Sequence, residues 1–362
     1  MHPRSSPARL LDVEARRICV IKPSALGDVI QALPLLPVLR KRFPAARISW
    51  VISRPLAALL EGHPDLDELI IFERRGSWQD WRRLLTQLRK SQFDLVFDLQ
   101  GLFRTAMMML ATRAPLRVGL ETAREGAQWG WHLAVPGTGL DVAPLVRYRQ
   151  VAKALGISEI SVDARIAISR DDSDWAFREL AQLGAPALAI HPGARWVTKR
   201  WPPERFAAVA CKAIRRFGLA PVILGTSDEE AVAQQVEQTI QRFVPNVVVT
   251  NLAGRTTLKQ LSALLKFSQV LLTNDSGPMQ LAAAVGTPTV AVFTCTSPVI
   301  SGPPGKQHEL VATGVSCAAS YRKKCPYRGR RHMACMEELD VERVWSAFGR
   351  LMEKNFPQTE AA

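Results

Sequence analysis

The chain has 362 residues, 47% of them hydrophobic, and a formal net charge of +14, so it is long enough for two domains with sizeable cores. No stretch approaches the roughly 18 uninterrupted apolar residues of a membrane-spanning helix, and residues 1–17 lack the apolar core of a secretory signal, so a cytoplasmic location is expected, which the six cysteines fit. The positive charge comes without a helix-turn-helix, zinc-finger or aromatic RNA-binding signature, so an anionic membrane face or a phosphorylated substrate is expected as partner, and no nucleic acid.

In chain order, residues 1–16 read as a disordered leader. Arg17–Ile21 is a buried strand that feeds the loop Lys22-Pro-Ser-Ala-Leu-Gly27-Asp28, and Val29–Phe43 reads as one apolar helix. That loop has a single glycine, so neither a dinucleotide fingerprint nor a Walker loop is present. It offers a carboxylate instead: Asp28 either faces a ligand beyond a strand end or caps the helix and neutralises Lys22. Further strands are expected at 48–52, 69–72, 94–98 and 117–119, with helices at 78–90 and 145–155, the latter ended by Gly156. Alternation at this spacing predicts a doubly wound parallel sheet. The basic excess of this half is spread over Arg40-Lys-Arg42, Arg74-Arg75, Arg82-Arg83 and Arg89-Lys90.

The second half repeats the plan, with strands at 187–190, 221–224, 247–249, 270–272 and 289–293 and an amphipathic helix at 203–217. The expected organisation is one domain at 17–168, a second at 169–340, and a terminal helix and tail at 341–362. Two such lobes predict facing Rossmann-like sheets with a ligand cleft between them. Asn274-Asp275-Ser276-Gly277-Pro278 turns strand 270–272 into a helix whose free amides and partial positive charge suit a diphosphate; an ordinary Asp-capped helix is the bland alternative. Glu229, after strand 221–224, either accepts hydrogen bonds from ribose hydroxyls or is a solvated first-turn residue. Arg322–Arg331 carries six cations and no acid. Cys317, Cys325, Cys335 and His332 make at best a poor zinc set, and neither a metal nor a cofactor is assigned.

Together, Lys22-Pro-Ser-Ala-Leu-Gly-Asp28-Val, Asp98-Leu-Gln-Gly101, Thr122-Ala-Arg-Glu125, His191-Pro-Gly193 with Lys199-Arg-Trp201-Pro, Gly225 with Glu229, and Asp275-Ser-Gly277 resemble the ordered motif set of the family 9 glycosyltransferases, the ADP-heptose:lipopolysaccharide heptosyltransferases. The resemblance runs from about residue 17 to residue 350. It implies a GT-B fold, inverting transfer without a catalytic metal, a nucleotide-diphosphate sugar donor held by the C-terminal lobe, and a lipid-linked acidic glycan acceptor held by the N-terminal lobe at the inner face of the membrane.

On that resemblance Asp28 is the catalytic base and Lys199 the group that stabilises the leaving diphosphate, both with matching chemistry. Lys199, Glu229, Thr256, Asp275, Ser276 and Gly277 bind the donor, Thr256 by matching the adenine-contacting segment. Lys22, Ser24, Arg104 and Arg124 meet the acceptor, the cations through its carboxylate or phosphate groups. A GT-B sugar-nucleotide epimerase and a catalytically silent binding protein are the alternative functions. Two departures stand out: Gln280 replaces a histidine common in the family, and Cys317-Ala-Ala-Ser320 lacks the second cysteine of a Cys-Ser-Pro-Cys motif.

Overall fold

The structure, a computed structural model, describes residues 8–357. These divide into two compact units between Ala167 and Ile168.

The first unit holds six strands, β1 (Arg17–Ile21), β2 (Arg47–Ser53), β3 (Glu68–Phe72), β4 (Leu95–Asp98), β5 (Leu116–Leu120) and β6 (Leu133–Val135). They form one sheet in the order β3-β2-β1-β4-β5-β6, parallel throughout. β1 lies at its centre with all residues after Arg17 buried, as its continuous apolar run requires for a strand covered on both faces. Helices Trp78–Lys90 and Phe103–Thr112 supply Leu84, Leu88, Met108 and Met109 to a core with Cys19, Ile21 and Val96.

The second unit contains β7 (Ala187–His191), β8 (Ala220–Ile223), β9 (Thr250–Asn251), β10 (Val270–Asn274), β11 (Thr289–Phe293) and β12 (Glu309–Ala312). Its order is β12-β11-β10-β7-β8-β9, again parallel. Counted within each unit, both sheets have the order 3-2-1-4-5-6 of a doubly wound dinucleotide-binding fold. In that order the crevice for a ligand opens where the winding reverses, beside β1 and β4 in one unit and β7 and β10 in the other. Helix Pro203–Phe217 and the terminal helix Val341–Asn355 bury Phe206, Val209, Phe348 and Leu351 in the second core. The terminal helix thus packs within the second unit.

Four local expectations are corrected. Of the expected leader, residues 1–7 lie outside the described residues, but Ala8–Leu11 is a helical turn with Leu10 fully buried. The Leu11 and Val13 carbonyls accept bonds from the Arg42 guanidinium, so this segment has the partners that a disordered one lacks. The single helix at 29–43 is two, Leu26–Ala32 and Leu35–Arg42, because Pro34 has no N–H to continue the first and instead caps the second. Val247–Val249 is not a strand; the ladder begins at Thr250. Ile223 gives its carbonyl to Leu252 N–H, so Pro221, two residues earlier, faces the same neighbour with no N–H to offer. Finally, β6 and β12 were not anticipated, being short edge strands whose pairing is set by the sheets they close.

Candidate active site

In the first unit the loop after β1 and the loop after β4 start side by side, because Ile21 pairs with Asp98. Asp98 is buried and anchors its own loop: its carboxylate accepts bonds from the Gln100 and Gly101 N–H groups at 2.9 and 3.0 Å and from the Thr105 hydroxyl at 2.8 Å. Burial raises its pKa; those hydrogen bonds and Lys22 oppose the rise. Gly101, at φ +65°, has Ala123 so close that a Cβ would lie 2.9 Å from its Cα, and the Gly101 carbonyl accepts Arg124 N–H at 2.8 Å. Only glycine fits both the left-handed backbone and that approach. This contact brings the Thr122–Glu125 motif to the β4 loop.

Lys22 is buried at the end of β1. Burial lowers its pKa, Asp28 and Asp98 oppose this, and Arg147 and Arg124 add to it. Asp28 is exposed in the first turn of helix Leu26–Ala32, where its carboxylate accepts Ala25 N–H at 3.2 Å. The cap reading of Asp28 therefore holds, and one carboxylate face still meets solvent. Tyr148 is buried, and its phenol is pushed up first by burial and then by Asp28. Ser24 N–H reaches Gln100 Oε1 at 3.4 Å. Lys22, Ser24, Asp28 and Arg124 thus share one edge of this sheet, while Arg104 is exposed in the first turn of helix Phe103–Thr112.

In the second unit the turn after β10 and the loop after β7 interlock. Asn274 is fully buried: its amide donates to the Pro192 carbonyl at 2.8 Å, and its Oδ1 accepts Trp201 N–H at 3.0 Å. Trp201 is itself buried, with its indole bonded to the Leu339 carbonyl at 2.7 Å. An anchored indole two residues on fixes Lys199, whose ammonium lies 2.6 Å from Asp275 Oδ2. The Thr296 hydroxyl donates to the same oxygen at 2.6 Å. Asp275 therefore does not cap the following helix; Ser276 occupies the cap position of Gly277–Ala284. The Ser276 hydroxyl lies 3.2 Å from Thr273 Oγ1 and 3.3 Å from His191 Nδ1, and no side chain caps the first turn of the helix, where Pro278 has no N–H and Gly277 does.

His191 continues this network on its other nitrogen, 3.4 Å from Glu229 Oε2. Thr226 donates to that oxygen from its N–H at 2.9 Å and its hydroxyl at 3.1 Å. Burial opposes ionisation of Glu229, but the His191 hydrogen bond and charge together with Thr226 prevail and bring its pKa to about 2. Gly193 makes room: a Cβ there would fall 2.1 Å from Glu229 Oε1. One chain of contacts thus joins Ser276 and Glu229 through His191, and Lys199 and Asp275 stand beside it. Thr256 is half-buried just before the Thr257 cap of helix Leu258–Phe267, apart from this network.

Sequence reasoning quoted His191 in a motif without giving it a role, and it missed Asn274, Thr296, Arg147 and Tyr148. Only His191 and Asn274 carried a signal, their adjacency to Pro192-Gly193 and Asp275-Ser276. Gln280 is buried and donates to the Ser301 carbonyl at 2.8 Å, a structural use of that position. Cys19, Cys211 and Cys295 are buried free thiols. Burial and then the neighbouring Cys317 and Cys325 push the Cys335 thiol up to about 11, but no group of three or more His, Cys, Asp or Glu among the described residues could hold a metal ion.

Two doubly wound units, one of which sets an ammonium beside a helix N-terminus at its switch point, have the fold of the GT-B class. Solved structures agree: a family 9 glycosyltransferase from Veillonella parvula superposes with a TM-score of 0.80 at 25% identity, covering 94% of this chain and 98% of that one. E. coli ADP-heptose lps heptosyltransferase II gives a TM-score of 0.72 at 23% identity, covering 93% and 99%. The chain belongs to glycosyltransferase family 9 (heptosyltransferase), whose model matches residues 81–330. Among its relatives, the lipopolysaccharide core heptosyltransferase OpsX of Haemophilus influenzae is 28% identical, over 80% of this chain and 82% of that protein. Lipopolysaccharide heptosyltransferase 1 of Pseudomonas aeruginosa is 27% identical, over 91% and 96%.

Proposed function

We propose that this enzyme transfers a heptose, with inversion and without a catalytic metal, from ADP-heptose to an acidic lipopolysaccharide core acceptor. The observation that carries the reading is the Lys199–Asp275 pair at 2.6 Å beside the Ser276 helix cap. A diphosphate at the helix start meets the Ser276 and Gly277 N–H groups, with the Lys199 ammonium alongside. As the bond from the anomeric carbon to the diphosphate oxygen breaks, the electron pair stays on that oxygen, and Lys199 with these amides stabilises its charge. Asp275 orients the ammonium; Glu229, ionised and held by His191 and Thr226, accepts from the ribose hydroxyls, and Thr256 belongs to the adenine side.

The acceptor hydroxyl attacks the anomeric carbon from the opposite face and gives its proton to the exposed side of the Asp28 carboxylate. Lys22, Ser24, Arg104 and Arg124 bind the acceptor, and Arg147 adds a further cation near Lys22. Burial lowers the Lys22 pKa against the opposing pull of Asp28 and Asp98, so its ammonium gains from an acceptor carboxylate or phosphate, since burial penalises an ammonium without a counter-charge. We place the reaction at the cytoplasmic face of the membrane; no helix among the described residues is long and apolar enough to cross one.

The deciding experiment measures Asp28→Asn. Turnover should fall by about two to four orders of magnitude, the usual size of a general-base contribution, while the Kd for ADP stays within about twofold. Near-normal turnover would remove Asp28 from the role of base. Activity of the wild type in EDTA is expected to persist, and magnesium-dependent recovery after its loss would refute the metal-free step.

A further inference from the structure

Beside Lys199 the second unit has a cavity of about 530 Å³, within the range of small-ligand sites, that the proposed donor site does not use. Arg195, Trp196, Lys323, Lys324 and His332 line it, and its lining includes no carboxylate. Its two walls are bonded to each other. Thr198 Oγ1 donates to the Arg322 carbonyl at 2.7 Å, Tyr321 N–H donates to the Cys295 carbonyl at 2.7 Å, and Thr294 Oγ1 donates to the Thr198 carbonyl at 2.5 Å. The acid-free run Arg322–Arg331 is therefore held against the turn that carries Lys199. The Trp196 ring links them, with Lys199 Nζ 4.8 Å and Lys323 Nζ 5.8 Å from its centroid.

We propose that this cavity is a subsite for a phosphate group borne on a saccharide of the acceptor, a refinement that rests on the acceptor reading above. A cluster of ammonium and guanidinium groups with no acid of its own suits a phosphate dianion, with the Arg195 fork able to bind two of its oxygens at once. Trp196 supplies the flat apolar surface that the C–H face of a sugar ring requires. The subsite therefore selects phosphorylated acceptors from within the donor-binding unit, independently of the cations in the first unit.

The test is calorimetric titration of the ADP-saturated enzyme with a lipid-free core oligosaccharide, phosphorylated or treated with phosphatase. The phosphorylated form should bind about tenfold tighter or more, about 1.4 kcal/mol. The double variant Lys323→Glu/Lys324→Glu should abolish that preference while its Kd for ADP, which reports an intact fold and donor site, stays the same. Millimolar inorganic phosphate should compete with the phosphorylated form. Equal binding of the two forms, or a preference that survives the double substitution, would overturn the proposal. So would a result in which the substitution weakens binding only to phosphatidylglycerol vesicles, because the cations would then serve a lipid headgroup. Heptose transfer by the wild type to the phosphatase-treated acceptor tests the functional reading separately: if transfer occurs but no phosphate preference is found, only the subsite fails.

Discussion

The Lys199 ammonium is shared between a carboxylate, an indole face and the proposed diphosphate, and its partners can be separated by substitution. Lys199→Ala should weaken ADP binding and lower turnover together. Asp275→Asn should leave the ammonium in place but poorly aimed, so turnover should fall more than ADP affinity; equal losses in the two would mean that Asp275 touches the donor directly. Gly193→Ala makes a different point. Its new Cβ meets the end of the Glu229 side chain first, which can swing away, so the fold should persist, but the carboxylate must leave His191 and Thr226. ADP affinity should drop by about tenfold, the value of one or two charge-assisted hydrogen bonds, and normal affinity would separate Glu229 from the donor. Glu229 also predicts a pH dependence. Its folded pKa of about 2 lies below its ordinary 4.5, so its ionised form contributes stability above pH 4.5, and that contribution is lost as pH falls from 4.5 toward 2. Urea midpoints of Glu229→Gln and wild type should differ at pH 6 and converge as pH approaches 2.

At the scale of elements, the basic segments of the first unit divide into structural and free cations. Arg40 donates to the Ala46 carbonyl and to Asp67, both at 2.6 Å, and Arg42 holds the chain at Leu11 and Val13. Neither is available to a lipid surface. Helix Trp78–Lys90 differs: Leu84 and Leu88 face the core, and Arg82, Arg89 and Lys90 are exposed. If this helix attracts anionic lipid, each charge near the surface contributes about 1 kcal/mol and the attraction fades over about one Debye length of 8–10 Å. Reversing Arg82, Arg89 and Lys90 should then reduce cosedimentation with phosphatidylglycerol vesicles at low salt without changing the Tm. Reversing Arg40 should lower the Tm. Binding that resists both charge reversal and salt would point to an apolar anchor. Trp78, 74% exposed, fits that role, whereas Trp81 is half-buried with its ring against Phe72 at 6.0 Å.

At the scale of the molecule, the two units share one strand order, and each places its motif loops where that order reverses. A nucleotide that binds only the folded second unit stabilises it by mass action, about 2.7 kcal/mol at one hundred times its Kd. ADP should therefore raise the Tm by several degrees and UDP by less; an equal response would remove the adenine preference from the reading. The α/β class, the central strands and the helices at 78–90 and 203–217 were legible in the sequence, because buried strands and amphipathic helices write their periods locally. The motif spacings likewise marked the loops after β1, β4, β7 and β10. Where the sequence was silent, the cause was distance along the chain. Edge strands β6 and β12 exist because a sheet offers them a partner, and the run at 247–249 fails because Pro221 in another strand cannot donate. Local sequence left a helix cap open as one use of Asp275; its observed partner is Lys199, 76 residues away. Local sequence determined which segments end in polar loops; only the strand order, a set of long-range pairings, decided which of those loops meet and so which carboxylate orients which cation.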